Sequence, residues 1–383
     1  MRIGFFTNNY APWVGGVTTA VETLRAGLEQ RGHEVFVFAP RFPAHNAAPG
    51  RIIRYRSIPA LTYPEFVLPI PFSPGISRLV RRLDLDLFHA HHPFLLGRTA
   101  LRLARRGGRP LVFTYHTRYE KYAHYVPLPQ GWVQRRAAAR ATRFANHADL
   151  VIAPSKATRT TLEAQGVRTR IEVVPTGIPQ ARIGPGPREA LRTQLGFSDR
   201  ARLVLSVGRL DPEKNLPTLF RAFDFAAQQV DPAHLLVVGK GTHEPHLRAL
   251  AATLPSASRI HFLGAVPYEK VLDVYRAADV FLFASTTETQ GLVVAEALAV
   301  GLPVVALRAP GVDEIVAHGM TGALAESPAA LADALVTLLR SDEQRAAFVR
   351  AALQRASDLS ADTHVNRVVA LYEELLRGRA RRD

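Results

Sequence analysis

The chain has no cysteine among its 383 residues. That excludes a disulfide framework, a thiolate metal centre and a cysteine nucleophile. Long apolar runs are also missing. The longest, Gly291 to Leu307, falls short of the ~20 residues a membrane span needs, and it carries Glu296 and Pro303. At the amino terminus, Met1-Arg2-Ile3-Gly4-Phe5-Phe6 is too short an apolar run for a cleavable leader and passes straight into polar residues. The expectation is a cytoplasmic protein without a transmembrane anchor. Acidic residues are scarce in one half only. Residues 1–180 hold 25 Lys and Arg against 10 Asp and Glu, whereas residues 181–383 hold 23 of each, so the net charge of +15 sits entirely in the first half. Arginine-rich codon usage would act on both halves alike. The first half is therefore expected to face an anionic partner: a membrane surface, nucleic acid or an acidic substrate.

What is present is apolar material for large cores: 47% of residues are hydrophobic, which rules out wholesale disorder. The length fits two or three domains at ~150 residues each. Arg2 to Thr7 reads as a strand, Val17 to Arg31 as a helix closed by Gly32, and Glu34 to Ala39 as a second strand, the start of a parallel α/β sheet. Further strands are expected at Leu85–Ala90, Pro110–Thr114, Leu150–Ala153 and Ile171–Val174. The pattern restarts at Leu203–Val207, His234–Val238, Ile260–Leu263, Val280–Phe283 and Pro303–Ala306. Helices are expected near Leu216–Gln229, Glu244–Leu254, Glu269–Ala277 and Leu292–Val300. Two such series predict two doubly wound domains that face a crevice at their strand ends, where helix N-termini favour phosphates. The Pro- and Gly-rich tract around Pro179–Pro187 reads as the linker, giving domains 1–180 and 181–360. A last helix, Thr363–Arg377, has apolar residues at helical spacing.

Four segments could carry chemistry. Gly15-Gly16 follows the first strand and opens the first helix, where a ligand phosphate could approach the backbone; a plain strand-to-helix turn is the alternative. In Gly208-Arg209-Leu210-Asp211-Pro212-Glu213-Lys214, Arg209 and Lys214 could bracket two phosphates, or pair locally with Asp211 and Glu213. Ser285-Thr286-Thr287-Glu288-Thr289-Gln290-Gly291-Leu292 leads into a helix whose Glu296 interrupts an apolar run. A buried carboxylate there needs a donor, either a sugar or ribose hydroxyl or a nearby basic group. His116, just beyond a strand end, is a fourth candidate, with a structural role as its alternative. His89-Ala90-His91-His92 resembles a metal cluster but lacks a carboxylate at ligand spacing, and Asp84-Leu85-Asp86 reads as a strand cap; no metal site is expected.

Taken together and in this order, these segments resemble the retaining glycosyltransferases of the GT-B fold, in the large family of bacterial glycolipid glucosyl- and mannosyltransferases. Thr114-Tyr115-His116-Thr117-Arg118-Tyr119-Glu120, His124-Tyr125-Val126-Pro127 and Thr287-Glu288-Thr289-Gln290-Gly291 look most like 1,2-diacylglycerol 3-glucosyltransferases. Pro179 departs from the Asp that many relatives carry after Thr176-Gly177-Ile178.

The resemblance implies two Rossmann-like domains, the first basic, acceptor-binding and membrane-facing, completed by residues 361–383 as the last helix crosses back. The second would bind a nucleotide-sugar. Arg209 and Lys214 would neutralise its diphosphate, with backbone N–H groups at Gly15, Gly16 and Gln290 to Leu292. Glu296 would take the ribose, Glu288 and His116 the transferred hexose, and Gly264 to Val266 the base. No cofactor or catalytic metal is implied. For the acceptor side, Arg78, Arg81 and Arg82 accompany apolar Ile76, Leu79, Val80 and Leu83, the pattern of an interfacial amphipathic helix or of an ordinary helix packed on the sheet. Arg135 and Arg136 offer a second basic surface, and Tyr119 lies near the acceptor. The expected partners are a nucleotide-sugar, a lipid acceptor and the anionic inner face of the cell membrane. Mannosyl transfer to phosphatidylinositol or a soluble acceptor, or a nucleotide-sugar epimerase, are the alternatives. No RNA-reader motif is evident, and nucleic acid is not expected.

Overall fold

The computed structural model describes residues 1–13, 15–42, 51–60, 66–121, 129–179 and 182–380, so His124-Tyr125-Val126-Pro127 lies outside the described residues. The chain forms two compact units, Met1–Gly177 with Ala361–Asp383, and Ile178–Ser360. Counted over these units the charge divides sharply. The first holds 30 Lys and Arg against 14 Asp and Glu, the second 18 against 19.

The first unit contains β1 (Arg2–Phe6), β2 (Glu34–Pro40), β3 (Ile52–Tyr55), a small hairpin of β4 (Ser57–Pro59) and β5 (Val67–Pro69), β6 (Leu87–Ala90), β7 (Leu111–Thr114), β8 (Leu150–Ala153) and β9 (Ile171–Val173). All but the hairpin form one parallel sheet in the order β3-β2-β1-β6-β7-β8-β9. Strands β6, β7 and β8 are buried along their whole length, which explains their continuous apolar reading: helices cover both faces. On one face, helix Gly16–Gln30 buries Val21, Leu24 and Leu28 against Val365, Val368, Leu371 and Tyr372 of the final helix, Ala361–Ala380. The two helices meet closely. A Cβ on Gly27 would lie 2.5 Å from Val365 Cγ2.

The other face carries helices Pro74–Leu83, Leu96–Arg106 and Gln130–Ala145. In the first of these the sheet-packing alternative weighed from the sequence holds. Val80 is buried in the core, Ile76 and Leu83 pack against it, and only Leu79 of the apolar stripe stays exposed. The stripe is used by the sheet, while Arg78, Arg81 and Arg82 remain in solvent.

The second unit contains β10 (Arg202–Val207), β11 (Ala233–Val238), β12 (Ile260–Gly264), β13 (Val280–Phe283), β14 (Val304–Leu307) and β15 (Gly322–Ala325). Its parallel sheet runs β12-β11-β10-β13-β14-β15. Each sheet thus reverses its strand order once, between β1 and β6 in the first unit and between β10 and β13 in the second. Loops leaving the carboxyl ends of those strands splay apart and leave room for a ligand.

Candidate active site

In the second unit, the loop after β10 is pressed against the loop after β11. Gly208 N donates to Val238 O (3.0 Å) and Leu210 N to Lys240 O (2.9 Å). A Cβ on Gly239 would lie 1.8 Å from Gly208 O, and one on Gly241 would lie 2.4 Å from Leu210 backbone atoms, so only glycine fits there. Buried Asp211 ties the loop down. Its Oδ1 accepts from Thr242 N (2.8 Å) and Thr242 Oγ1 (2.9 Å), and its Oδ2 accepts from Arg209 Nη1 (2.7 Å). Arg209 also pairs with Glu213. Arg209 therefore takes the local partners weighed from spacing, and Lys214 reaches farther. Its Nζ donates to Glu288 Oε1 at 2.7 Å, across the switch point, where Ser285 Oγ donates to the same oxygen at 2.7 Å. Two cations and three carboxylates, Asp211, Glu213 and Glu288, thus form a braced cluster. Burial would raise the Glu288 pKa, but Lys214, Ser285 and Arg209 outweigh it and hold the carboxyl below its ordinary value.

Beyond Glu288 the chain turns at Gly291, whose φ of +85° suits glycine, and enters helix Leu292–Ala299. The Gln290 side chain is buried. Gly311, in the loop after β14, abuts this turn: a Cβ there would lie 3.0 Å from Thr289 O. Glu296, about one turn into that helix, is 5% exposed. Arg182 Nη1 lies 3.4 Å from its Oε1, and the Tyr275 hydroxyl donates to Oε2 at 3.0 Å. Burial raises its pKa against the pull of Arg182 and Tyr275. The basic-group partner weighed from the sequence is thus present, supplied by a residue 114 positions away that no local pattern could reveal. Gly264 ends β12 with φ +70°, its carbonyl accepting from Gly239 N at 2.8 Å, and Val266 packs on the core nearby.

In the first unit, Gly15 caps helix Gly16–Gln30 with extended backbone (φ 173°), and a Cβ on Gly16 would meet nothing within 4 Å. The glycines are not needed for an unusual backbone angle; a Cβ on Gly15 would lie 3.4 Å from Trp13 Nε1. His116 follows β7, and its Nε2 lies 3.0 Å from Nδ1 of His91, which follows β6. Burial, with His92, His89 and His364 close by, holds the His116 pKa well below its ordinary value, so the ring is neutral. Tyr119 packs edge-on against Phe94 (5.1 Å) and Tyr115 (5.5 Å), so its ring serves packing here.

The histidine run faces protein partners. His89 bonds Tyr372 and Thr114, and His92 Nδ1 accepts from Asn8 N at 3.1 Å. Among the described residues no group of three or more His, Asp or Glu side chains is arranged to hold a metal ion. Asp84 caps helix Pro74–Leu83 and pairs with Arg109, while Asp86 accepts from Arg2 N at 2.7 Å, so this pair braces the amino-terminal end of β6. Arg135 and Arg136 are exposed on helix Gln130–Ala145, Arg136 lying 5.0 Å over the Trp132 ring. Among the described residues no helix is long and apolar enough to cross a membrane.

Two doubly wound units, with an Arg–Lys–Glu cluster at the switch point of the second, define a glycosyltransferase of the GT-B class. Residues 14–182 match Glycosyltransferase Family 4, and residues 187–355 match Glycosyl transferases group 1. The chain belongs to this glycosyltransferase family, and it is a hexosyltransferase. It is 33% identical, over 88% of its length and 78% of the relative's, to the alpha-monoglucosyldiacylglycerol synthase of Streptococcus pneumoniae. It is 31% identical to a GDP-mannose-dependent alpha-mannosyltransferase of Mycobacterium tuberculosis, with 91% of each covered. Sucrose-phosphate synthase from Thermosynechococcus elongatus shares the fold (TM-score 0.81, 22% identity, 98% of this chain and 99% of that one). So does Anabaena HepE, solved in complex with UDP-glucose (TM-score 0.78, 22% identity, 98% of this chain and 100% of that one).

Proposed function

We propose that this chain transfers glucose from UDP-glucose to diacylglycerol at an anionic membrane surface, with retention of anomeric configuration. The observation that carries the reading is the bridge from Lys214 to Glu288, with Arg209 braced beside it at the same strand ends. Departure of a nucleoside diphosphate develops negative charge. Arg209 and Lys214 are fixed donors for that charge, and prepositioned donors cost no reorganisation when the bond breaks. They supply what a divalent cation would otherwise provide, so no catalytic metal is required. Glu288 holds hydroxyls of the hexose. A carboxylate has about four lone-pair sites, so Glu296 keeps acceptor capacity for the ribose beside Arg182 and Tyr275. His116 is a neutral hydrogen-bonding group toward the sugar. The base lies at Gly264 to Val266, and the helix N-termini at Gly15, Gly16 and Gly291 to Leu292 favour the phosphates.

A lipid acceptor explains the charge of the first unit. Helices Pro74–Leu83, Leu96–Arg106 and Gln130–Ala145 pack into one core cluster and carry eleven exposed arginines with no Asp or Glu. None of the eleven makes an ion pair among the described residues. An anionic surface attracts such a face by ~1 kcal/mol per basic residue near it. The binding is peripheral and electrostatic, on the cytoplasmic leaflet, since the apolar stripe beside Arg78, Arg81 and Arg82 is spent on the core.

A donor-by-acceptor screen tests the reading. The protein is given UDP- and GDP-hexoses with anionic vesicles, with and without diacylglycerol, in EDTA. A glucolipid formed from UDP-glucose only when diacylglycerol is present supports it. Use of GDP-mannose instead would assign the chain to mannosyl transfer, and donor turnover without a lipid product to a soluble acceptor or epimerisation.

A further inference from the structure

Neighbouring strands β6 and β7 bring His91 and His116 together at their carboxyl ends. The rings stack with centroids 5.3 Å apart, and His91 Nδ1 lies 3.0 Å from His116 Nε2. Both rings are neutral, burial holding each well below the ordinary histidine pKa. One nitrogen of the pair must therefore donate and the other accept. Nearby rings have their protons fixed by their partners. His92 Nδ1 accepts from a backbone N–H, so its proton is on Nε2; His364 Nδ1 faces the Pro175 carbonyl at 2.7 Å, so its proton is on Nδ1. The His91–His116 bond is satisfied either way round, but the far side of His91 is not indifferent. Its Nε2 is buried and meets no hydrogen-bond partner among the described residues. The ring cannot swing to find one, being stacked on His89 (4.2 Å) and met edge-on by Phe5 (4.8 Å). If His116 donated, the His91 proton would sit on that Nε2 as a buried N–H without an acceptor. If His91 donates, the same atom is a bare lone pair. Orphaned buried N–H groups are rarer than unfilled acceptors.

We infer that His91 donates from Nδ1 to His116 Nε2 and so holds the His116 proton on Nδ1. His91 is a positioning residue: it decides which edge of His116 donates and which accepts, and hence which sugar oxygens that ring can serve. The catalytic consequence rests on the reading of His116 as a sugar contact; the tautomer does not.

Long-range proton–nitrogen correlation spectra of the full chain, labelled with 15N-histidine, read the tautomer directly. His91→Asn keeps an amide donor near the Nδ1 position, and His91→Leu removes it. The expected wild-type and His91→Asn spectra show His116 protonated at Nδ1, and His91→Leu loses that fixed pattern. With UDP-glucose and diacylglycerol vesicles, kcat should fall about tenfold in His91→Leu and stay within about threefold in His91→Asn, UDP affinity holding in both. A His116 proton found on Nε2 in the wild type overturns the inference, as does an unchanged His116 spectrum in a folded His91→Leu. A proton on Nδ1 together with a fully active His116→Ala would leave the tautomer standing and remove the sugar contact instead.

Discussion

Replacing Lys214 by Met keeps the aliphatic stem and deletes the charge, which isolates what the ammonium does. Two consequences follow from its place 2.7 Å from Glu288, the side chains being 17% and 16% exposed. Glu288 loses its main stabilising partner and keeps the Ser285 hydroxyl. Removing one member of a fully buried pair costs ~3–5 kcal/mol; with part of each side chain in water, ~1–3 kcal/mol is the expectation here. For a unit of this size that lowers the melting temperature by about 5 °C. The second consequence is catalytic. One fixed donor to developing charge is worth about 10²–10³ in kcat. The two effects are separable in the double variant Lys214→Met/Glu288→Gln, which removes both charges of the pair. Calorimetry should show most of the lost stability restored, while product formation from labelled UDP-glucose stays at the level of the single variant or below. Recovery of activity in the double variant would make the pair a structural brace and refute the diphosphate role. So would a Lys214→Met enzyme within tenfold of wild type.

Glu296→Ala should weaken UDP binding by about tenfold to a hundredfold, the worth of hydrogen bonds to a charged group, with turnover largely kept at saturating donor; unchanged affinity by titration calorimetry would remove it from the ribose. Burial holds five histidines of the first unit, His89, His91, His92, His116 and His364, below their ordinary pKa, His89 and His92 at about 3 and His364 at about 4. The unfolded chain binds protons from pH ~6.5 downward that the folded chain refuses. Stability is therefore full above that pH and declines toward pH 4, by up to ~1.4 kcal/mol per pH unit for each ring; a melting temperature flat between pH 7 and pH 5 would contradict this. Gly27→Ala should cost ~1–3 kcal/mol by forcing Val365 aside and be rescued by Val365→Ala; a stabilised single variant would show that the two helices can move apart. Reversing Arg78, Arg81 and Arg82 to Glu should weaken sedimentation with anionic vesicles at least a hundredfold, at ~1 kcal/mol per charge. Equal binding would move the membrane contact elsewhere.

Both sheets were legible because doubly covered strands must be apolar throughout. Leu150–Ala153 and Val280–Phe283 match their predicted bounds, and most other strands shift by a residue or two. Strand β15 escaped notice because Gly322-Ala323-Leu324-Ala325 has no β-branched or aromatic residue, and β3 because it is a short edge element only partly buried. Helices Pro328–Arg340 and Asp342–Arg355 follow the last strand that the pattern named, and were passed over with β15. Within the site, residues on one loop could be read together, as Arg209 and Asp211 were. Pairings made by the sheet could not: Lys214 meets Glu288 across 74 residues, Arg182 meets Glu296 across 114, and His91 meets His116 through strands that only the strand order makes neighbours. Helix Pro74–Leu83 shows the limit of amphipathic spacing. The same stripe serves a membrane or a sheet, and only the presence of a sheet beneath it decides.

The final helix has a bearing on how the chain is made. Residues 361–380 complete the core of the first unit, yet they leave the ribosome after the whole of the second. Until then Val21, Leu24 and Leu28 have only the sheet's part of their cover, and the first unit must wait as an unfinished, basic, partly apolar surface while the second is synthesised and folds. Nascent chains should therefore acquire protease resistance out of sequence order, residues 178–360 first. A stop at residue 360 would release a folded second unit tethered to a first unit that cannot close its core.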